Sequence, residues 1–265
     1  MPNDCRRNWQ ETITWLGSLP KMWGWQRFDL TIQGTLLGWL KRRLAFPKHL
    51  IIQIDPVGQH MVRQITDERR NQFTNLPELS AFNSPWIRPR EVLTKYQLPP
   101  RSIVIGLGGT HANKHLPVKL WVPLANLMIS QRYQVFLAAH SPDELNLANK
   151  IAEKSHAIIL DSLNLDELAN ILSSAQACIS HDSGPAHFAA ALGTPTLALF
   201  HATRSNVFYP LGKFGHSYQS QQSHLCNKFN ESSCGMCLDW ACQVKKCLPR
   251  REELQSAVEQ FLTQI

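Results

Sequence analysis

The sequence predicts an α/β protein built on a doubly wound parallel sheet, and three observations predict it. From residue 102 onward, short apolar runs alternate with segments of helical periodicity, the pattern of strands joined by crossover helices. The stretch Cys178-Ile179-Ser180-His181-Asp182-Ser183-Gly184-Pro185-Ala186-His187 places polar, ligand-type residues between a strand and a helix, where such sheets hold charged ligands. With 265 residues and 43% hydrophobic content, the chain can bury the cores of two domains.

In the first half, residues 5–25 carry Trp9, Ile13, Trp15, Leu16, Leu19 and Trp23 at an imperfect helical spacing that closes near Gly24. A strand is expected at 28–33. A helix follows at 36–44, with Lys41-Arg42-Arg43 on its exit turn, where cations complement the helix dipole. Residues 49–54 read as a strand and 60–73 as a charged amphipathic helix. Pro77, Pro85, Pro89, Pro99 and Pro100 then punctuate the chain, which places the linker there and the domain boundary near residue 97.

In the second half, a strand at 103–107 runs into Gly108-Gly109, and a helix spans 117–131. Strand 134–139, helix 142–154, strand 157–160, helix 166–173 and strand 177–180 follow in turn. Ser183 is a good N-cap, Pro185 fits a first helical turn, and Gly193 fits the left-handed residue that ends the helix. Thr194-Pro195 prevents continuation, and 196–200 reads as the next buried strand. Residues 250–264 form a last amphipathic helix, with Leu254, Val258, Phe261 and Leu262 on one face, expected to pack back across the domains.

Twenty-seven Lys and Arg against 20 acids give a net charge of +7, which favours anionic partners: nucleotides, phosphorylated glycans, membrane surfaces or nucleic acid. The polar start Met1-Pro2-Asn3-Asp4-Cys5-Arg6-Arg7 is not followed by a continuous apolar stretch of the secretory kind, and no run of about 18 apolar residues is present. A cytoplasmic protein is expected, with peripheral attachment to a membrane left open. A nucleic-acid role is the weakest class, because no second cysteine pair of ribbon spacing and no aromatic-basic recognition motif accompany the charge.

The first turn of the helix after Ser183 offers free N–H groups and a positive dipole end, so a phosphate or sugar hydroxyl would be held there. Asp182 would accept from hydroxyls while His187 donates. The plainer alternative is that Asp182 and Ser183 only cap the helix and His187 is a half-buried polar residue.

Cys226, Cys234, Cys237, Cys242 and Cys247 crowd into one segment, which in a reducing compartment suggests metal ligands rather than disulfides. Cys234 and Cys237 form a Cys-x-x-Cys pair, and Cys242 and Cys247 follow at spacings that let four thiolates meet on one tetrahedral ion, zinc or iron. Cys226 is an alternative ligand, and buried cysteines without metal are the competing reading. Four protein ligands leave no open position, so such a site is a clasp. No organic cofactor is expected.

Several stretches, in order, resemble glycosyltransferase family 9, the ADP-heptose:lipopolysaccharide heptosyltransferases. They are Ile105-Gly106-Leu107-Gly108-Gly109-Thr110, Lys114-His115-Leu116-Pro117 with Trp121 beyond, Asp166-Glu167, and the segment from Asp182 to Pro195. Phe28-Asp29-Leu30-Thr31-Ile32 and His60-Met61-Val62 extend the likeness into the first half. The resemblance implies a GT-B fold: two Rossmann-like domains, here a partial N-terminal acceptor-side domain at 1–97, and a nucleotide-sugar-binding domain at 98–265 that includes the cysteine-rich segment and terminal helix. It implies an inverting transfer of heptose, or a related sugar, from an ADP-sugar donor to a lipopolysaccharide core or other glycan acceptor.

By the same resemblance Thr110 and Lys114 would hold the pyrophosphate, Leu163 would lie against the adenine, and Asp182 would take sugar hydroxyls. Ser183, Gly184 and His187 would complete the pocket, and Glu144 would approach the ribose. For Lys114 an ordinary loop lysine is the alternative. The family's Arg-x-Gly-x-x-Gly-Asp-like opening loop, linked to the acceptor site and to a general base, is not found in this sequence. The N-terminal domain is therefore expected to be truncated and no catalytic residue is assigned. A member that retains only donor binding is the second functional reading. At Phe200-His201-Ala202-Thr203 the family usually has Gly and Pro before the Thr, so the bulkier His201 is expected to alter donor preference.

Overall fold

A computed structural model describes residues 30–32, 50–52, 83–85, 87–90, 92, 95–109, 112–230 and 246–265. In the first half it contains two short parallel strands, β1 (Leu30–Ile32) and β2 (Leu50–Ile52), paired Leu30 to Leu50 through Ile32 to Ile52. Both coincide with expected strands. The expected helices at 5–25, 36–44 and 60–73 lie outside the described residues.

The second half is a doubly wound parallel sheet. Its strands are β3 (Ser102–Gly106), β4 (Gln134–Ala139), β5 (Ile158–Asp161), β6 (Ala177–His181), β7 (Thr196–Phe200) and β8 (Gly215–Gln219), in the order β5-β4-β3-β6-β7-β8, all parallel. The longer helices between them are α1 (Val118–Ser130), α2 (Pro142–Ala152), α3 (Leu165–Ser174) and α4 (Gly184–Leu192), and α5 (Arg251–Leu262) follows the last strand.

Strand alternation sorts the side chains onto two faces. Ile103, Ile105 and Leu107 point to one face with Ile179, Leu197 and Leu199, where they meet Trp121, Leu124 and Met128 of α1 and Leu254, Val258 and Phe261 of α5. Val104, Phe136 and Cys178 point to the other, against Ile171 and Leu172 of α3 and Ala189 and Leu192 of α4. Burial pushes the Cys178 thiol up to about 12, so it serves as a small core hydrophobe. The terminal helix buries the face expected of it, and it packs against α1.

The helix starts follow local chemistry. In α2 Ser141 accepts from the Glu144 amide at 3.3 Å while the Glu144 carboxylate accepts from the Ser141 amide, a reciprocal capping box. Asn164 and Glu167 form the same arrangement on α3. Gly193 ends α4 at φ +91, with its bare Cα against the Pro85 ring: an added Cβ would lie 2.5 Å from Pro85 Cγ. Residues before β3 thus lie along α3 and α4, tied also by Ile87 N–H to Ala191 O at 3.1 Å and by Tyr96 Oη to Asp161 at 2.6 Å. Among the described residues no helix is long and apolar enough to cross a membrane.

Candidate functional site

The chain leaves β3 toward β4 on one side, while β6 lies on the other, so the loops after β3 and β6 diverge and open a crevice at their C-terminal ends. Lys114 enters it from the 3-10 turn Ala112–Lys114, and Asp182 follows directly after β6. Lys114 Nζ donates to Asp182 Oδ2 at 2.8 Å. Thr203, just beyond β7, donates its hydroxyl to the same oxygen at 2.7 Å, and His187 Nε2 stands 3.7 Å from Oδ1.

Asp182 is 6% exposed. Its burial would raise the carboxyl pKa, but the Lys114 charge and the His187 imidazole outweigh it and hold the group well below the usual carboxylate range. Asp182 is therefore an acceptor only. Lys114 spends one of its three N–H donors on it.

The start of α4 shapes the other wall. Ser183 occupies the N-cap position, yet its hydroxyl does not cap the helix: it turns inward, where its one hydrogen can go to Ser180 Oγ at 2.9 Å or to His181 O at 3.2 Å. The expected side-chain cap is therefore absent, because Ser180, which also bonds Gly106 O at 2.8 Å, draws the hydroxyl inward. Gly184 begins the helix with open space where a Cβ would be. A Cβ on Gly106 would lie 2.7 Å from Pro185 Cβ, so the end of β3 touches the first turn of α4.

Lys114, Asp182, Ser183, Gly184 and His187 are thus brought together. Glu144 stands at the rim: its Oε2 accepts from His140 N at 2.8 Å, and its Oε1 would lie 3.8 Å from a Cβ on Gly108. Leu163 is 8% exposed and packs with Val104, Phe136 and Leu160. Thr110 lies outside the described residues. Sequence reasoning missed Thr203 as a member of the site; its position after β7, the strand beside β6, was the available signal.

Of the four expected metal ligands, Cys234, Cys237 and Cys242 lie outside the described residues. Cys247 is buried with Cys226 around Phe229. Among the described residues no group of three His, Cys, Asp or Glu is arranged to hold a metal ion.

Residues 38–244 match the family model for glycosyltransferase family 9 (heptosyltransferase). Lipopolysaccharide heptosyltransferase 1 of Pseudomonas aeruginosa is 35% identical over 136 residues, covering 51% of this chain and 36% of that protein. Its counterpart in Salmonella typhimurium is 29% identical over 119 residues, covering 44% of this chain and 38% of that protein. The matched stretch thus spans somewhat more than a third of these curated relatives. Among solved structures, the E. coli heptosyltransferase WaaC with ADP aligns with a TM-score of 0.54 at 17% identity, over 90% of this chain and 73% of that one. The same enzyme with ADP-2-deoxy-2-fluoro heptose aligns at 0.51 and 18% over the same shares, and at such identity the likeness is one of fold.

Proposed function

The chain belongs to glycosyltransferase family 9, and we propose that its crevice binds an ADP-sugar, with heptose as the sugar, for transfer to a lipopolysaccharide core acceptor. The 2.8 Å contact between Lys114 and Asp182 at the sheet's switch point carries this reading, because it sets a cation and a carboxylate side by side where a diphosphate meets its sugar. Lys114 and the first turn of α4 take the diphosphate, and Thr110 joins them. Asp182 accepts from sugar hydroxyls, and His187, 46% exposed at its side chain, donates to sugar or phosphate. Leu163 borders the adenine and Glu144 the ribose.

Transfer from a sugar diphosphate builds negative charge on the departing phosphate, which Lys114 and the helix terminus stabilise in place. The fold is read as GT-B, with β1 and β2 belonging to the acceptor-side domain, and the transfer as inverting. The protein is read as acting at the cytoplasmic face of the inner membrane. Cys234, Cys237, Cys242 and Cys247 are read as a structural clasp for zinc or iron, a reading supported by their spacing.

The test is mass-spectrometric detection of heptose addition when the protein is incubated with ADP-heptose and a lipopolysaccharide core acceptor. Heptose addition that is abolished by Asp182→Ala supports the proposal. Saturable ADP-heptose binding without any transfer moves the chain to the reading in which only donor binding is kept. Absence of binding as well as transfer overturns both.

A further inference from the structure

Three imidazoles from separate parts of the chain converge on the loop that follows β3. His181, the last residue of β6, places Nε2 3.1 Å from Leu107 O. His115 places Nε2 2.7 Å from Gly109 O, and His201, directly after β7, places Nε2 2.8 Å from Asn113 O. A carbonyl oxygen only accepts, so each of these ring nitrogens donates. Their hydrogens, not lone pairs, face the loop, which excludes a metal ion gathered by the three Nε2 atoms.

The arrangement is built into the core. Alternation along β6 sends His181 to the same face as Ile179, where the His115 ring stacks on it at 5.2 Å and 10° and Trp121 meets its edge at 5.4 Å. His181 is fully buried, and that burial, with His115 beside it, lowers its pKa to about 3, so it donates as a neutral ring. Gly109 is needed for the close approach, since a Cβ there would lie 2.9 Å from His115 Nε2.

In a trans peptide the carbonyl and the following N–H point in opposite directions. Drawing the Leu107 carbonyl onto His181 therefore turns the Gly108 amide hydrogen the other way, while Lys114, whose own amide closes the 3-10 turn Ala112–Lys114, is left to offer its ammonium. Held like this, these residues offer the Gly108 amide hydrogen and the Lys114 ammonium to an anion and keep the carbonyl oxygens of Leu107, Gly109 and Asn113, which would repel one, out of reach.

We propose that His115, His181 and His201 are positioning residues for the donor diphosphate, holding residues 107–109 and 112–114 so that the Gly108 amide and the Lys114 ammonium face the ligand. This rests on the donor-binding reading given above. None of the three rings need touch the ligand.

The test compares His115→Gln and His201→Gln, which restore an N–H near the Nε2 position, with His115→Phe and His201→Phe, which keep a ring and remove the donor. ADP and AMP affinities are measured by calorimetry, and amide hydrogen exchange of the 107–114 loop is followed in the ligand-free protein. The Phe variants are expected to bind ADP about tenfold more weakly, to lose far less for AMP, and to exchange faster in the loop. The Gln variants are expected to stay within about threefold of the parent for ADP, because they keep the hydrogen bond. Where a Phe variant does not fold, His→Asn, whose amide falls short of the carbonyl, takes its place.

Folded Phe variants that bind ADP like the parent, or Gln variants that lose as much as Phe variants, overturn the proposal. A parent protein that does not bind ADP overturns the donor reading instead. The exchange measurement then decides alone: protection lost with Phe and kept with Gln supports the clamp, and equal protection throughout overturns it.

Discussion

Lys114 and Asp182 lie 68 positions apart in sequence and meet at 2.8 Å, with their side chains only 17% and 7% exposed. Neither charge is well hydrated, so each depends on the other, and Asp182 also on Thr203. Removing one partner leaves the other's buried charge without its main compensation, the costly way to break such a pair. Lys114→Met and Asp182→Asn are each predicted to destabilise the protein by about 3 kcal/mol, read from urea denaturation. The double variant should recover part of that loss, and additive losses would show that the two side chains do not act as a pair.

His187 makes a contrasting prediction. Its ring is half exposed and stands 3.7 Å from Asp182, so His187→Ala should leave stability within about 0.5 kcal/mol of the parent. Its ligand role should show as ADP-heptose affinity several-fold weaker with little change for ADP. An equal loss for both ligands would place the ring on the phosphates rather than the sugar.

Acid should unfold the protein through His181 before Asp182. Burial, then the facing His115, with His201 also near, lower the folded pKa of His181 to about 3 from the ordinary 6.5, against opposing contributions from Leu107 O and Asp182. Between those values the unfolded chain binds a proton that the folded chain does not, so stability falls as pH drops below about 6.5. Asp182, whose folded pKa is depressed, adds to the loss once pH falls below its ordinary 3.8. Urea midpoints taken from pH 7.5 to 4 should decline, and His181→Gln should remove a slope of about 1.4 kcal/mol per pH unit. An unchanged slope in that variant would mean that His181 is not the group that titrates.

Gly193 joins the end of α4 to Pro85. Alanine there meets both a left-handed backbone at φ +91 and the Pro85 ring, so Gly193→Ala should cost about 1–3 kcal/mol and expose the residues near Pro85 to limited proteolysis. Wild-type protease resistance in that variant would show that the ring moves aside freely.

The alternation of short apolar runs with helical segments located β3 to β7 and α1 to α4 within a residue or two, because the strands read as apolar runs, even β5 at the sheet's edge, and β3, β4, β6 and β7 are buried almost throughout. β8 escaped notice. Gly215-His216-Ser217-Tyr218-Gln219 is polar and half exposed, an edge strand whose identity comes from pairing with β7 rather than from its own pattern. That Asp182 and His187 lie close together was legible from the strand-to-helix segment that carries them, whereas Lys114, 68 positions away, was singled out only by the family resemblance. The inward turn of the Ser183 hydroxyl was not legible, since it depends on Ser180 lying within reach. The meeting of His115, His181 and His201 was hidden for a related reason: each is an ordinary polar residue locally, and only the strand order β3-β6-β7 brings them to one loop.

The most direct measurement is a calorimetric titration of the folded protein with ADP, run beside Lys114→Met. Saturable binding at one ADP per chain, weakened about tenfold or more in the variant, is the predicted result. A folded parent that shows no saturable heat, or a Lys114→Met protein that binds as tightly as the parent, would contradict a diphosphate held between Lys114 and the first turn of α4.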